Sequence, residues 1–173
     1  VLIINNTGND VLTFMDLDCY TVSLCNDFTF LANESNFNIS ANSSKSVNIT
    51  LIAPQGLTGG VYVGTINVSG TDITDTVNIQ STVPETYTWS ASPLLINKTK
   101  GTSQIGILQV VQIQNTGNMI LQFNLSSTNN SILQPNVSSI IVPVSSNGSF
   151  NINYTAPSSE GSYFEKIKIR SEE

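Results

Sequence analysis

An asparagine followed two positions later by serine or threonine is the acceptor pattern for N-linked sugar, because its carboxamide nitrogen forms the bond to carbohydrate. The chain carries twelve such sequons, at Asn5, Asn33, Asn38, Asn42, Asn48, Asn67, Asn97, Asn124, Asn129, Asn136, Asn147 and Asn153. It holds twenty-one Asn and forty-one Ser plus Thr in 173 residues. Chance placement at that composition gives roughly five sequons. The excess predicts a secretory route and a surface covered by covalent N-glycans. The competing reading is an Asn-, Ser- and Thr-rich surface whose sequons go unused.

The second reactive pair is Cys19 and Cys25. An even pair at this short spacing, in a stretch of Tyr, Thr, Val and Ser, predicts a local disulfide stapling a hairpin. A zinc site is not expected, since the Cys-x-x-Cys spacing is missing and the chain has no His. The same lack of His removes the commonest general base, and no serine lies in a Gly-x-Ser-x-Gly elbow. Gly56-Leu57-Thr58-Gly59-Gly60 lacks the Lys-Ser/Thr ending of a phosphate loop and reads as a hairpin loop. The pairs Asp16/Asp18 and Asp72/Asp75 offer oxygens to calcium but not the ligand spacing of a calcium loop, so solvated acids are favoured. Tyr87, Trp89 and Leu94–Ile96 form an aromatic and aliphatic cluster of a kind that can bind carbohydrate, but its place at the entry to repeat two reads as core packing and inter-domain contact unless Trp89 is exposed. No enzyme, metal or cofactor is expected.

Charged side chains make up 10% of the chain, against about 25% in typical globular domains. Neutral polar groups and sugars must then supply solubility. The net charge is −6, with only six Lys and Arg. Nucleic acid is therefore excluded as a partner. Lys166, Lys168 and Arg170 alternate along one stretch, which is the pattern of a strand's solvent face. Glu172 and Glu173 read as a polar exit. No apolar run is long enough for a membrane-spanning helix, and apolar residues at 39% suffice for packed cores.

What must position these groups is written twice in the chain. The stretch Val1 to Asn9 (VLIINNTGN) returns as Val110 to Asn118 (VVQIQNTGN), and Leu12-Thr13-Phe14 returns as Leu121-Gln122-Phe123. Ser46-Val47-Asn48-Ile49 and Ala53-Pro54 answer Ser149-Phe150-Asn151-Ile152 and Ala156-Pro157. Gly60-Val61-Tyr62 with Ile66 and Val68 answers Gly161-Ser162-Tyr163 with Ile167 and Ile169. The offset falls from 109 to 103 to 101, which assigns the first repeat an insertion around Cys19 and Cys25 and a longer loop at Gln55–Gly59. Within each repeat, β-branched and aromatic residues alternate with polar ones, and Val47, Ile49 and Leu51 share one face as do Phe150, Ile152 and Tyr154. This predicts antiparallel sheets with one buried face each and no helix, with Tyr62 and Tyr163 buried at tyrosine-corner positions.

The order of these motifs resembles the immunoglobulin-like β-sandwich repeats of prokaryotic, especially archaeal, glycosylated surface and filament proteins. In that pattern a strand runs into Asn-Thr-Gly-Asn, followed by a Leu/Phe strand, a Ser-rich turn, a strand ending in Ala-Pro, and Gly-x-Tyr opening a late strand. The resemblance implies two tandem immunoglobulin-like antiparallel β-sandwich domains, residues 1–84 and 85–173, of an all-β chain. It further implies an extracellular or cell-surface spacer, adhesin or filament subunit.

The two repeats are framed differently. Repeat two is preceded by Tyr87–Gly106, whereas repeat one starts at the strand before its Asn-Thr-Gly-Asn turn, so its first strand is expected to be absent. Repeat one continues through Thr71–Ser81, whereas repeat two has no counterpart, so its last strand is expected to be absent. Two readings are open: an excerpt of a longer array completed by neighbouring modules, or a subunit that polymerises with copies of itself by strand donation. The expected function is a structural subunit of a filament or surface coat. The alternative is a carbohydrate-binding or adhesion module of a larger surface protein.

Overall fold

A computed structural model describes residues 1–20 and 23–172. The chain divides into two compact units, Val1–Pro84 and Glu85–Glu173. Both are antiparallel β-sandwiches, as the alternation of apolar and polar residues predicts.

The first unit runs β1 (Leu2–Asn6), β2 (Leu12–Tyr20), α1 (Leu24–Asp27), β3 (Thr29–Ala32), β4 (Phe37–Ile39), β5 (Ser43–Val47), β6 (Ile49–Ile52), β7 (Gly60–Ser69) and β8 (Thr74–Val83). One sheet has the order β4-β2-β7-β8, and the facing strands pair as β1-β5 and β3-β6. The second unit runs β9 (Trp89–Ser92), β10 (Ile105–Asn115), β11 (Leu121–Ser127), β12 (Leu133–Pro135), β13 (Ser139–Val142), β14 (Asn147–Thr155) and β15 (Ile167–Ser171). Its sheets are β12-β14-β10-β9 and β13-β11-β15. In both units the repeated sequence blocks fold alike: Leu2 lies opposite Val47 on β1 and β5, and Val111 lies opposite Phe150 on β10 and β14.

Successive strand residues point to opposite faces, so every second side chain enters the space between sheets. In the second unit Val111, Ile113, Phe150 and Ile152 from one sheet meet Leu121, Phe123, Leu125 and Val142 from the other, all buried. The first unit closes around Met15, Leu17, Phe37, Ile39, Val47, Ile66 and Val68. At about 25 cal/mol per Å² of apolar surface removed from water, these two clusters are what hold the sheets together.

The parity that turns Leu2 and Ile4 inward also turns Asn6 inward, and likewise Asn115 after Val111 and Ile113. Both are almost fully buried, at 5% and 1% exposure. A buried carboxamide must satisfy its hydrogen bonds, and here it does so twice in the same way. Asn6 Nδ2 donates to the carbonyls of Asp10, Ile39 and Ser40, while its Oδ1 accepts from Gly8 N–H. Asn115 Nδ2 donates to Met119, Val142 and Pro143, and its Oδ1 accepts from Gly117 N–H. Each side chain thereby ties its hairpin to the edge strand of the opposite sheet.

Three expectations need correction. The insertion of the first repeat contains one helical turn, α1, where no helix was expected. The disulfide Cys19–Cys25 joins the end of β2 to that turn instead of stapling a hairpin. Gly64 on β7 is the reason the turn can dock: a Cβ there would lie 3.1 Å from Leu24 Cβ and 3.2 Å from Cys25 Sγ, and Leu24 is fully buried. The tyrosines are not buried either, since Tyr62 is half-buried and Tyr163 is 44% exposed. They do form corners. Tyr62 Oη donates to the Thr58 carbonyl at 2.7 Å and Tyr163 Oη to that of Ser159 at 3.0 Å, which fixes the loop entering each late strand at the sandwich rim. Glu173, read as part of a polar exit, lies outside the described residues.

Candidate functional site

The sequons are spread over both units. Asn5, Asn33, Asn38, Asn42, Asn48, Asn97, Asn124, Asn136, Asn147 and Asn153 are exposed, whereas Asn67 and Asn129 are half-buried. Strand parity explains the exposure of Asn5, Asn124 and Asn153, which alternate with core residues on β1, β11 and β14. Asn42 occupies a left-handed turn with φ 53°, a conformation asparagine tolerates better than most residues.

Two of the sequons also brace the fold. Asn33 Oδ1 accepts the Asn48 backbone N–H at 2.8 Å, and the repeat-equivalent Asn136 Oδ1 accepts that of Asn151 at 2.8 Å. Only the carbonyl oxygen is used in each bracket, so Nδ2, the atom that would carry sugar, stays outside it. By contrast the amide nitrogens of Asn124 and Asn129 donate to Glu172 and Glu165.

The other candidate residues do not converge. Asp16 and Asp75 each accept the N–H of the next residue, and among the described residues no three His, Cys, Asp or Glu side chains gather as a metal would need. Of the cluster read as core packing, Trp89 packs edge-on against Phe123, with ring centroids 5.0 Å apart, and Ile96 packs on the same core. Tyr87, Leu94 and Leu95 are instead exposed, because the chain on either side of β9 turns only Ile96 inward. Lys166, Lys168 and Arg170 lie on the exposed side of the last strand and the segment leading into it. No helix among the described residues is long and apolar enough to cross a membrane.

What the arrangement does present is a pair of unfinished sheet edges. Among the described strands, β1 pairs with β5 alone, while its counterpart β10 pairs with both β14 and β9. Conversely β15 pairs with β11 alone, while its counterpart β7 pairs with both β2 and β8. The burial of matching residues follows. Val111 and Ile113 on β10 and Ile152 on the next strand β14 are buried, but their equivalents Leu2, Ile4 and Ile49 are only partly so. Ile66 and Val68 beside β8 are buried, but Ile167 and Ile169 are only partly so. The residues before Ile167, from Gly161 to Lys166, form no strand, although the equivalent Gly60–Thr65 are held by the β8 ladder. Near β1 the gap is a groove of about 410 Å³ lined by Leu2, Ile49, Leu51, Ile66, Val77 and Ile79.

These features define an all-β chain of immunoglobulin-like sandwiches. No known family model matches the chain, and no curated protein is similar to it. Solved structures with a partial likeness include a protein of unknown function from Porphyromonas gingivalis, at 16% identity and a TM-score of 0.34, covering 88% of this chain and 72% of that one. The Pseudomonas aeruginosa CupB2 chaperone aligns at 14% identity and a TM-score of 0.32, covering 98% and 90%. The D0-D1 domain of intimin aligns at 10% identity and a TM-score of 0.29, covering 96% and 76%.

Proposed function

We propose that the chain is a non-enzymatic structural unit of an extracellular filament or cell-surface coat, N-glycosylated at its exposed sequons and joined to its neighbours through its two open sheet edges. The observation that carries this reading is the reciprocal incompleteness: the first unit is open at β1 and the second at β15, each beside half-buried aliphatics. An unpaired edge offers a row of backbone donors and acceptors to another chain. The sequon density, the scarcity of charge and the disulfide support a setting outside the reducing cytosol. Assembly is head-to-tail because the two open edges are different and lie on different units.

The test is the mass of the chain, secreted from a glycosylating host, measured by sedimentation over a wide concentration range. Growth of open-ended multimers is expected. A folded monomer at every concentration refutes the filament reading, and saturable binding on a glycan array by that monomer would replace it with an adhesion module.

A further inference from the structure

The second unit contains its own picture of how the β1 edge of the first unit is filled. There the segment Thr86–Ser92 lies along Asn-Thr-Gly-Asn and the strand before it. The N–H groups of Thr116 and Gly117 donate to the Thr88 carbonyl at 2.9 and 3.0 Å, and that of Asn118 to the Thr86 carbonyl at 3.1 Å. Asn118 Oδ1 accepts from Thr86 N–H at 2.7 Å, and β9 continues antiparallel with Trp89 opposite Asn115 and Ala91 opposite Ile113. Ile96, four residues beyond Ser92, packs on the core. Gly117 is required for this approach: a Cβ would stand 2.2 Å from the Thr86 carbonyl oxygen and 2.9 Å from Thr88 N.

The first unit repeats the receiving residues without the segment. Thr7-Gly8-Asn9 is identical to Thr116-Gly117-Asn118, and Asn6 is bonded as Asn115 is. Yet among the described residues the N–H groups of Thr7 and Asn9 meet no carbonyl. A Cβ on Gly8 would meet only Asn6 Oδ1, at 3.2 Å. The unit's own packing gives Gly8 no backbone neighbour of the kind that Gly117 has.

We infer that Thr7-Gly8-Asn9, β1 and the adjoining groove form a receptor for a further extended segment with the chemistry of Thr86–Ile96: Thr-x-Thr-aromatic-x-Ala, then an aliphatic residue a few positions on. The Thr pair is held by Asn9, Gly8 and Thr7. The aromatic residue lies opposite Asn6 and the alanine opposite Ile4, and the aliphatic residue fills the groove between Leu2, Ile49, Ile66 and Val77. The segment pairs along the backbone, so the outward side chain of Asn5 keeps its sequon free. This rests on the reading that neighbours complete the open edges, and it states which chemistry completes this one.

The experiment adds a synthetic peptide of residues 85–98 to the full chain at a concentration where the chain alone is monomeric. The second unit already holds its own copy, so one peptide per chain is expected, with slowed amide exchange confined to Ile3–Asn9. A scrambled peptide should not bind. Gly8→Ala should keep the circular dichroism of the parent and weaken the peptide at least tenfold. Asn9→Ala, which removes a side chain without a partner among the described residues of its own unit, should weaken it several-fold. Failure of the peptide to saturate, or equal binding by the scrambled peptide or by both variants, overturns the inference. A chain that multimerises alone yet ignores the peptide loses this inference only. A chain that binds the peptide but never multimerises loses the filament reading only.

Discussion

Asn115 is the residue whose replacement tests the packing argument most sharply. Its side chain is 1% exposed, and it makes four hydrogen bonds, of which those to the Val142 carbonyl and from Gly117 N–H are fully buried. Asn115→Ala leaves both partners without a bond and without water, at about 1–3 kcal/mol each. The loss should total about 2–6 kcal/mol, a large share of the roughly 5–15 kcal/mol that holds a domain together. Asn115→Asp should be worse, because a carboxylate oxygen would face the carbonyls of Met119, Val142 and Pro143, to which the amide now donates. The chain has one tryptophan, and Trp89 sits in the second unit against Phe123. Its fluorescence therefore reports the unfolding of that unit alone. With an m-value of about 1–2 kcal/mol per M in urea, the Ala variant should unfold more than about 1 M earlier, and the Asp variant earlier still. An Asp variant with the parent's midpoint, or one more stable than the Ala variant, would refute the assignment of Asn115 as a buried donor hub.

Reducing Cys19–Cys25, or replacing both with Ser, should cost the first unit about 2 kcal/mol, the loop-closure value for so short a ring, and leave the Trp89 transition unmoved; far-ultraviolet dichroism against fluorescence separates the two. Leu24→Ala, at a fully buried position on the same turn, should destabilise that unit by about 2–5 kcal/mol in the same dichroism assay. Gly117→Ala should prevent stable folding of the second unit, since its Cβ would meet backbone at 2.2 Å, whereas Gly8→Ala should shift the first unit by about 1 kcal/mol or less; equal thermal shifts would contradict the contrast. Glycopeptide mass mapping of the secreted chain should find sugar on the exposed sequons and the lowest occupancy at half-buried Asn129, whose amide nitrogen is engaged by Glu165.

Much of the fold is legible in the chain because strand parity and repetition are strong signals. The match of Val1–Asn9 to Val110–Asn118 locates equivalent strands, and alternation places Val47 and Phe150 inside. The Asn hubs lie in the same parity: Asn-Thr-Gly-Asn reads as a turn, yet Asn6 and Asn115 each fall on the inward beat of the preceding strand. Two of the three carbonyl partners of each come from residues about thirty positions away, which local sequence cannot name. α1 escaped because four residues are too few for a helical period to show. The exposure of Tyr163 was hidden too, since its type suits a core as well as a rim and only its bond to Ser159 decides.

The reading of the sequons as surface positions follows from polarity and parity, but the half-burial of Asn67 and Asn129 depends on neighbouring chain. Asn129 is enclosed through Glu165, a residue of the late segment that no motif links to it. The open edges were legible as a frame shift between repeats. Their chemistry was not, because the hold of Thr116, Gly117 and Asn118 on Thr86–Thr88 combines backbone bonds with side-chain bonds of Asn118 and Thr116 across about thirty positions of sequence.

The proposed assembly requires neighbours to complete β1 and β15. Imaging the native particle at a resolution that traces strands decides this: the account predicts an added strand hydrogen-bonded along Ile3–Asn6 and another along Ile167–Ser171, both from a neighbour. Edges that face solvent in the native particle would contradict it.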